Sequence, residues 1–169
     1  YKITVDEGPR EGGSFGPYRQ SERKEIYNKY INLLIKKGLA YCCYASKKDL
    51  LRARKNKDFS YNASTRLMFK NSLSLEEDKS QALMKKGGYV VRLKVKANVS
   101  LDVTDLLRGR ITFNSNNLDD KILMKADGLP TYHFANVVDD YLMKITTVIR
   151  GEEWLPSLPI HKLIYDAFG

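Results

Sequence analysis

The chain has 169 residues, 43% of them hydrophobic and 29% charged, which is enough apolar material for one ordinary globular core or two small ones. Its formal charge of +9 and its short, interrupted apolar runs exclude a membrane-spanning segment, and the first residues do not resemble a signal peptide. We therefore expect a soluble, cytoplasmic protein with no membrane partner.

The first quarter of the chain begins as loop and then becomes regular. Residues 1–19 are rich in glycine and proline, which predicts loop. An amphipathic pattern predicts a helix over 21–37, ended by Gly38. Residues 40–44 predict a short strand, and Ser46 to Asp49 predict the capped start of a second helix rich in Lys and Arg.

The remaining elements are predicted from capping, alternation and helical periodicity. A polar loop is expected around 61–66, and Ser74 to Glu77 predict a capping box for a third helix that stops at Gly87. Alternation over 89–96 predicts a half-buried strand. The final third alternates helix and strand, an order typical of a parallel sheet with crossover helices. The other predicted elements are strands near Arg110 to Phe113 and Lys121 to Lys125, a helix over 134–143, a strand over 146–150 and a helix over 158–168.

The positive charge is concentrated in the middle of the chain. Residues 24–110 contain twenty basic and eight acidic side chains, a surplus of +12, whereas residues 111–169 contain five and eight. A basic segment of this kind attracts polyanions such as nucleic acid. A solvated surface without a partner would have the same composition.

Two polar clusters in the last third could hold a small ligand. Tyr132 and Asn136 are four residues apart at the start of a predicted helix, so they project from one side of it. Arg150 ends an apolar run and is followed by a glycine turn, two carboxylates and the only Trp. An arginine in that position suits a bidentate grip on a carboxylate or phosphate. A surface turn with internally paired charges is the simpler interpretation of the second cluster taken alone.

The two histidines, His133 and His161, are interpreted as hydrogen-bonded structural residues. Neither is accompanied by a Ser or Cys nucleophile, and neither has the spacing of a metal-ligand set. The two cysteines, Cys42 and Cys43, are adjacent in sequence, which favours reduced thiols in a partly buried strand.

Three strings give the sequence an extended resemblance to a known family. They are DEGPREGGSFGPYRQSERKEIYNKY, DGLPTYHFANVVDDYLM and VIRGEEWLPSLPIHKLIYDAFG. In this order and spacing they closely resemble the central part of bacterial-type glutamyl-tRNA synthetases, which are class I aminoacyl-tRNA synthetases. The resemblance implies an α/β fold in which a Rossmann-type parallel sheet is interrupted by an inserted mixed α/β domain that binds the tRNA acceptor stem. It divides the chain into 1–26, the end of the first Rossmann half; 27–132, the insertion; and 133–169, the start of the second half.

The resemblance also implies roles for residues and partners. ATP, with Mg²⁺, and glutamate would form glutamyl-adenylate, whose glutamyl group then passes to the 3′ end of glutamate tRNA. Arg150 would hold the α-carboxylate of glutamate, Glu153 would contact ATP, and the basic region 24–110 would contact the acceptor stem. The glutamate pocket would be lined by Tyr132, His133, Phe134, Ala135 and Asn136.

Several parts of the family pattern are not found in this sequence. The HIGH-type and KMSKS-type motifs and the anticodon-binding domains are not present, so we expect this polypeptide alone to be inactive. Separately, we expect the full-length enzyme to be a monomer. Some family members bind zinc through a Cys-x-Cys pair, but Cys43 is followed two positions later by Ala45 and no Cys or His lies near 61–66. Zinc is therefore not expected.

Two other functions share these features. A free-standing RNA-binding module would use the basic region without catalysing a reaction. A glutamine-specific relative, or a truncated synthetase paralogue that acts on a modified tRNA base, would share the fold but not the partner. The strings TYHFANVVDD and IRGEEW favour the glutamate enzyme.

Overall fold

The structure is a computed structural model that describes residues 4–169, so the first three residues of the predicted opening loop lie outside the described range. Within that range, no helix has both the length and the apolar character needed to cross a membrane. The helices are α1 (Lys24–Lys36), α2 (Lys47–Ala53), α3 (Glu77–Lys86), α4 (Tyr132–Leu142) and α5 (Leu158–Phe168). The strands are β1 (Ala40–Cys43), β2 (Val90–Leu93), β3 (Ser100–Asp105), β4 (Gly109–Asn114) and β5 (Ile122–Met124).

The strands form one three-stranded sheet and one hairpin. The sheet has the order β1-β2-β5, and β3 pairs with β4 separately. β1 and β2 run antiparallel from the pair Ala40 and Leu93 to the pair Cys43 and Val90. The pairing of β2 with β5 is also antiparallel. The α/β content expected from the sequence is confirmed.

The parallel sheet predicted for the final third is not formed within residues 4–169, where every strand pair is antiparallel. The predicted strand at 146–150 is also wrong, because this segment has no strand pairing in the described chain. Ile149 is 93% exposed. A strand forms only where a neighbouring backbone takes up its N–H and C=O groups, so an apolar run alone does not make one.

One hydrophobic core joins the central sheet to α1, α4 and α5. It includes residues on both sides of the predicted boundary between 132 and 133, and the domain division stays a prediction. Burying each large apolar side chain contributes roughly 1.5–3 kcal/mol. The innermost of these side chains are Tyr27, Leu34, Val95, Leu123, Phe134, Val137, Val138, Ile160 and Ile164.

The first helix ends as its sequence predicts. Gly38 has a φ of 69°, a conformation that glycine adopts without steric cost. Its N–H donates to Ile35 O at 2.9 Å, and Leu39 N–H donates to Leu34 O at 2.9 Å. This pair of bonds is a Schellman motif, and it directs the chain from α1 into β1.

A cap was expected at the start of α2 and a capping box at the start of α3, and only the first is present in the described chain. Ser46 and Asp49 cap α2 reciprocally, with Asp49 N–H donating to Ser46 Oγ at 3.1 Å. α3 begins after Glu76, and no side-chain capping bond is found at that end in the described structure. Ser74 instead lies in a turn around buried Asn71, whose Oδ1 accepts from Ser74 N–H at 3.0 Å. The predicted capping box at 74–77 is therefore wrong, because Asn71 holds Ser74 in that turn.

The middle strand β2 is buried on both faces. Val91 and Leu93 face the main core as predicted, and Val95 is also buried beyond the end of the strand. Arg92, expected on the open face, is only 6% exposed and lies over the ring of Tyr61, with its Cζ 3.9 Å from the ring centroid. Its Nη1 donates to Asp120 O at 2.8 Å.

A buried ion pair lies beneath this face of the sheet. Asp120 is fully buried and Arg66 is 6% exposed, and Arg66 Nη2 donates to Asp120 Oδ1 at 2.9 Å. Tyr41 Oη donates to Asp120 Oδ2 at 2.6 Å, and Val95 N–H donates to Oδ1 at 3.1 Å. Burial and the neighbouring carboxylate raise the pKa of Tyr41 far above its usual range, so this phenol is a donor. The segment 61–66 was expected to be a polar loop, but its first and last side chains are buried.

A second ionic contact anchors the chain before α1. Arg23, 2% exposed, donates from Nε to Asp139 Oδ1 on α4 at 2.8 Å and from Nη1 to Pro17 O at 2.6 Å. Tyr27 Oη donates to Asp139 Oδ2 at 2.8 Å. The loop around residue 17 is therefore held against α4.

Replacing Asp120 with Ala is expected to destabilise the fold by about 3–5 kcal/mol, because Arg66 would remain buried without its counter-charge. Asp166→Ala is the matched control, since within the described residues its exposed carboxylate pairs only with Lys162 at the surface, and should cost less than about 1 kcal/mol. Urea unfolding of both variants measures the difference. Equal losses would show that the buried pair is not a major source of stability.

Candidate active site

The start of α4 is fixed to the central sheet. Gly128 has a φ of 77° in the turn that follows β5. Thr131 N–H donates to Leu123 O at 2.8 Å, and Thr131 Oγ1 donates to Ile122 O at 2.7 Å. These bonds hold the first turn of the helix against the end of β5.

The core determines which side chains of α4 reach the surface. Phe134 is fully buried and Ala135 is 5% exposed, so both predicted pocket residues face the core. Tyr132 is 48% exposed, and His133 and Asn136 are partly exposed. Of the five α4 residues predicted to line a glutamate pocket, three are thus available to a ligand on this face.

Arg150 lies against this face of α4. Its Nη2 donates to Asn136 Oδ1, and its Nη1 is 3.0 Å from His161 Nδ1. Its Cζ is 5.8 Å from the centroid of the Tyr132 ring. The structure therefore brings Tyr132, Asn136 and Arg150 together, although they belong to two clusters that only the family resemblance had joined in one site.

Three further residues complete the cluster, and the sequence interpretation did not assign them to it. His161 of α5 is 3.0 Å from His133 Nδ1 through its Nε2. Asp140 Oδ2 lies 3.8 Å from Arg150 Nη2 and accepts from Tyr165 Oη at 3.2 Å. Asp140 could have been found from helical spacing, because it follows Asn136 by four residues.

Burial sets the protonation of these groups. Burial, the Arg150 charge and His133 together lower the pKa of His161 to about 4. Burial and the charges of Lys121 and Arg150 also lower the pKa of His133. Burial and Asp140 raise the pKa of Tyr165 to about 12. At neutral pH, His161 and the Tyr165 phenol are both uncharged.

The segment after Arg150 brings aromatic and acidic groups to the edge of the site. The rings of Trp154 and Tyr132 lie 4.8 Å apart between centroids, and both are exposed. Arg108 Nη2 donates to Glu152 Oε2 at 2.9 Å, which joins the β3-β4 hairpin to this segment. Glu153 is exposed, and its carboxylate lies so close to Gly151 that a Cβ there would displace it.

The described residues do not contain a cluster of three or more His, Cys, Asp or Glu side chains arranged to hold a metal ion. Cys42 and Cys43 are both free and buried, as the sequence predicts. Cys43 Sγ lies 3.3 Å from Tyr61 Oη. That zinc is not bound stays a prediction.

The lowered pKa of His161 predicts a pH-dependent stability. The folded state disfavours the protonated imidazole, so unfolding binds protons between the unfolded value of 6.5 and the folded value of about 4. The free energy of unfolding should therefore rise with pH across this window, by up to about 1.4 kcal/mol per unit. His161→Asn should remove this contribution in urea titrations at pH 4 to 7. A variant with the same pH slope as the parent would contradict the assignment.

Comparison with known proteins identifies the class of domain. The family model described as tRNA synthetases class I (E and Q), catalytic domain, matches residues 2–169. The chain belongs to this family, and its fold is that of a class I catalytic domain with α/β content.

Two curated relatives and one solved structure show what the chain is similar to. The glutamate--tRNA ligases of Parabacteroides distasonis and Bacteroides fragilis are each 52% identical to this chain over 170 residues, which is 99% of the chain and 34% of the relative. A crystal structure of a glutamate tRNA ligase from Elizabethkingia meningosepticum, in complex with its amino acid, is 45% identical with a TM-score of 0.91. That match covers 97% of this chain and 34% of the other. The chain thus spans about a third of the length of the relatives it matches.

Proposed function

We propose that this chain forms part of a glutamate--tRNA ligase and supplies one side of its amino-acid-activating site. The observation that carries this proposal is the position of Arg150, held between Asn136 and His161 beside the exposed ring of Tyr132. A guanidinium fixed at a partly exposed surface suits a forked contact with the carboxylate of an amino acid. The identity of the relatives supports the choice of glutamate.

In this proposal, Arg150 binds the α-carboxylate of glutamate, and Tyr132 and Asn136 orient the rest of the molecule. Adenylate formation requires the carboxylate oxygen to attack the α-phosphate of ATP in line while the bond to pyrophosphate, the leaving group, breaks, so positioning and charge stabilisation are the main needs. His133 lines the same face, whereas Phe134 and Ala135 support it from the core. Glu153 contacts ATP.

Mg²⁺ would enter with ATP. Mg²⁺ is usually bound through substrate phosphates and one or two carboxylates, so it does not require a cage of protein ligands. Such a metal would neutralise the phosphate charge that develops during the reaction. Among the carboxylates of this chain, Glu153 is the one that the family resemblance assigns to ATP.

We propose that residues 27–132 are the acceptor-stem-binding insertion, between Rossmann segments 1–26 and 133–169. Support comes from the charge distribution and from α2 with the loop that follows it, where the basic side chains are exposed. Such side chains contact phosphates and position an RNA without reading its sequence. We further propose that the full-length enzyme is cytoplasmic, because its partners are ATP and tRNA. We also propose that it is a monomer. On α2 and the loop that follows it, the exposed basic residues are Lys47, Lys48, Arg52, Arg54, Lys55 and Lys57.

Glutamate-dependent ATP–pyrophosphate exchange tests the enzymatic part. We expect no exchange by the chain alone, and exchange in the presence of tRNA by a chimera in which this chain replaces the matching third of the Parabacteroides distasonis relative. Arg150→Lys in the chimera should raise the KM for glutamate by about 10- to 100-fold, because a lysine cannot make the forked contact. Arg108→Lys, which alters an exposed ion pair, is the control.

The outcomes of this assay separate the two functions. A chimera that does not exchange, combined with salt-sensitive tRNA binding by the chain, would favour the RNA-binding module. If the Arg150 and Arg108 variants have equal KM values for glutamate, Arg150 does not bind glutamate. Exchange with glutamine and not with glutamate would favour the glutamine-specific relative.

The tRNA contact is tested by the salt dependence of binding. Changing Lys47, Lys48 and Arg52 to Gln should weaken binding of glutamate tRNA and reduce the slope of log K against log salt by about 2. Arg19, Lys144 and Lys162 changed to Gln remove the same charge outside both 24–110 and the proposed insertion 27–132, and should leave the slope nearly unchanged. Equal effects of the two triple variants would mean that net charge, and not this surface, governs binding.

A further inference from the structure

The side of Arg150 that faces away from Asn136 is supported by a pair of imidazoles. His161 is 5% exposed and lies on α5, and His133 lies on α4. Arg150 Nη1 is 3.0 Å from His161 Nδ1, and His161 Nε2 is 3.0 Å from His133 Nδ1. The three side chains therefore form one hydrogen-bonded row across two helices and the segment between them.

The chemistry of arginine fixes the direction of every bond in this row. A guanidinium only donates, so His161 Nδ1 must be the unprotonated acceptor. The proton of neutral His161 is then on Nε2, which donates to His133 Nδ1. His133 must in turn have its proton on Nε2. One arginine thus determines the tautomers of two histidines.

The same logic requires His161 to be neutral. An imidazolium has N–H groups on both nitrogens and would present a donor, and a positive charge, to the Arg150 donor. The groups that face His161 are Arg150, His133 and the ring of Tyr132, whose centroid is 6.4 Å from that of His161. Asp140, the nearest acid of this cluster, lies on the far side of Arg150.

We propose that His161 is a positioning residue for Arg150, with His133 completing the row, and this inference rests on the proposed glutamate site. His161 holds Nη1 while Asn136 holds Nη2, so the plane of the guanidinium is fixed at both ends. Two of the five N–H groups of Arg150 are used in this way. The other three N–H groups remain for the carboxylate of a ligand, and the Arg150 side chain is 21% exposed.

The alternative is that His161 only fills the core, and matched substitutions distinguish the two. In His161→Asn, the amide oxygen can occupy the place of Nδ1 and accept from Arg150. In His161→Gln, the amide reaches towards the place of Nε2 and His133 instead. Both variants lose the ring, so a purely structural role predicts similar losses in both.

The experiment measures glutamate-dependent exchange in the chimera. We expect His161→Asn to keep the KM for glutamate within about 3-fold of the parent and His161→Gln to raise it about 10-fold or more, consistent with loss of a hydrogen bond to a charged group. The KM for ATP should change little in either. Equal effects of Asn and Gln on the KM for glutamate would overturn the proposal.

Nitrogen NMR of the histidines in the unmodified chain gives a readout that does not depend on activity. At pH 7, His161 and His133 should both show a protonated Nε2 and an unprotonated Nδ1, and Arg150→Gln should shift the His161 Nδ1 signal. A proton on His161 Nδ1 would overturn the proposal even if the chimera is active. If the parent chimera does not use glutamate but the tautomers are as expected, the proposed function fails and the positioning of Arg150 by His161 stands.

Discussion

The rotation of α4 about its axis is the constraint on which the site depends. Phe134, Val137 and Val138 are fully buried, so the helix can have only one face towards the core. Tyr132 and Asn136, and Asp140 one further turn along, then lie on a single partly exposed row because they are spaced by four. The site is therefore a consequence of packing: the apolar residues set the helix orientation, and the polar residues between them meet Arg150.

Not all of the basic side chains in residues 24–110 are available at the surface. Arg66 and Arg92 belong to that surplus but are buried, one against Asp120 and the other over Tyr61. Their charges stabilise the inside of the sheet and cannot contact an external polyanion. The other eighteen basic side chains of this region are exposed, and six of them lie on α2 and the loop after it. A count along the sequence therefore overestimates the exposed positive charge by two residues. Burial has to be known before charge is assigned to a partner.

Local signals in the sequence predicted local structure well. The features that were missed or predicted wrongly depend on long-range contacts. The end of α1 at Gly38 and the cap of α2 at Ser46 depend on neighbours within a few residues, and both are confirmed. The strand expected at 146–150 needs a pairing partner that sequence periodicity does not show. β3 was missed because it is short in apolar residues and contains Asp102 and Asp105, which are uncommon in strands. His161 was assigned only a structural role, since it is separated from His133 by 28 residues and no pattern links the two.

The Arg23–Asp139 contact attaches the loop before α1 to α4, the helix that also carries residues of the candidate site. Asp139 and Asp140 are adjacent in α4, yet the first holds Arg23 and the second lies beside Arg150. Any rotation of α4 that improved the grip on a ligand at Arg150 would also move the carboxylate that holds Arg23. Because Arg23 is bonded to Pro17 O, that movement would reach a loop far away in sequence. Because the two carboxylates are neighbours on one helix, the contact with Arg23 and the contact with Arg150 cannot shift independently.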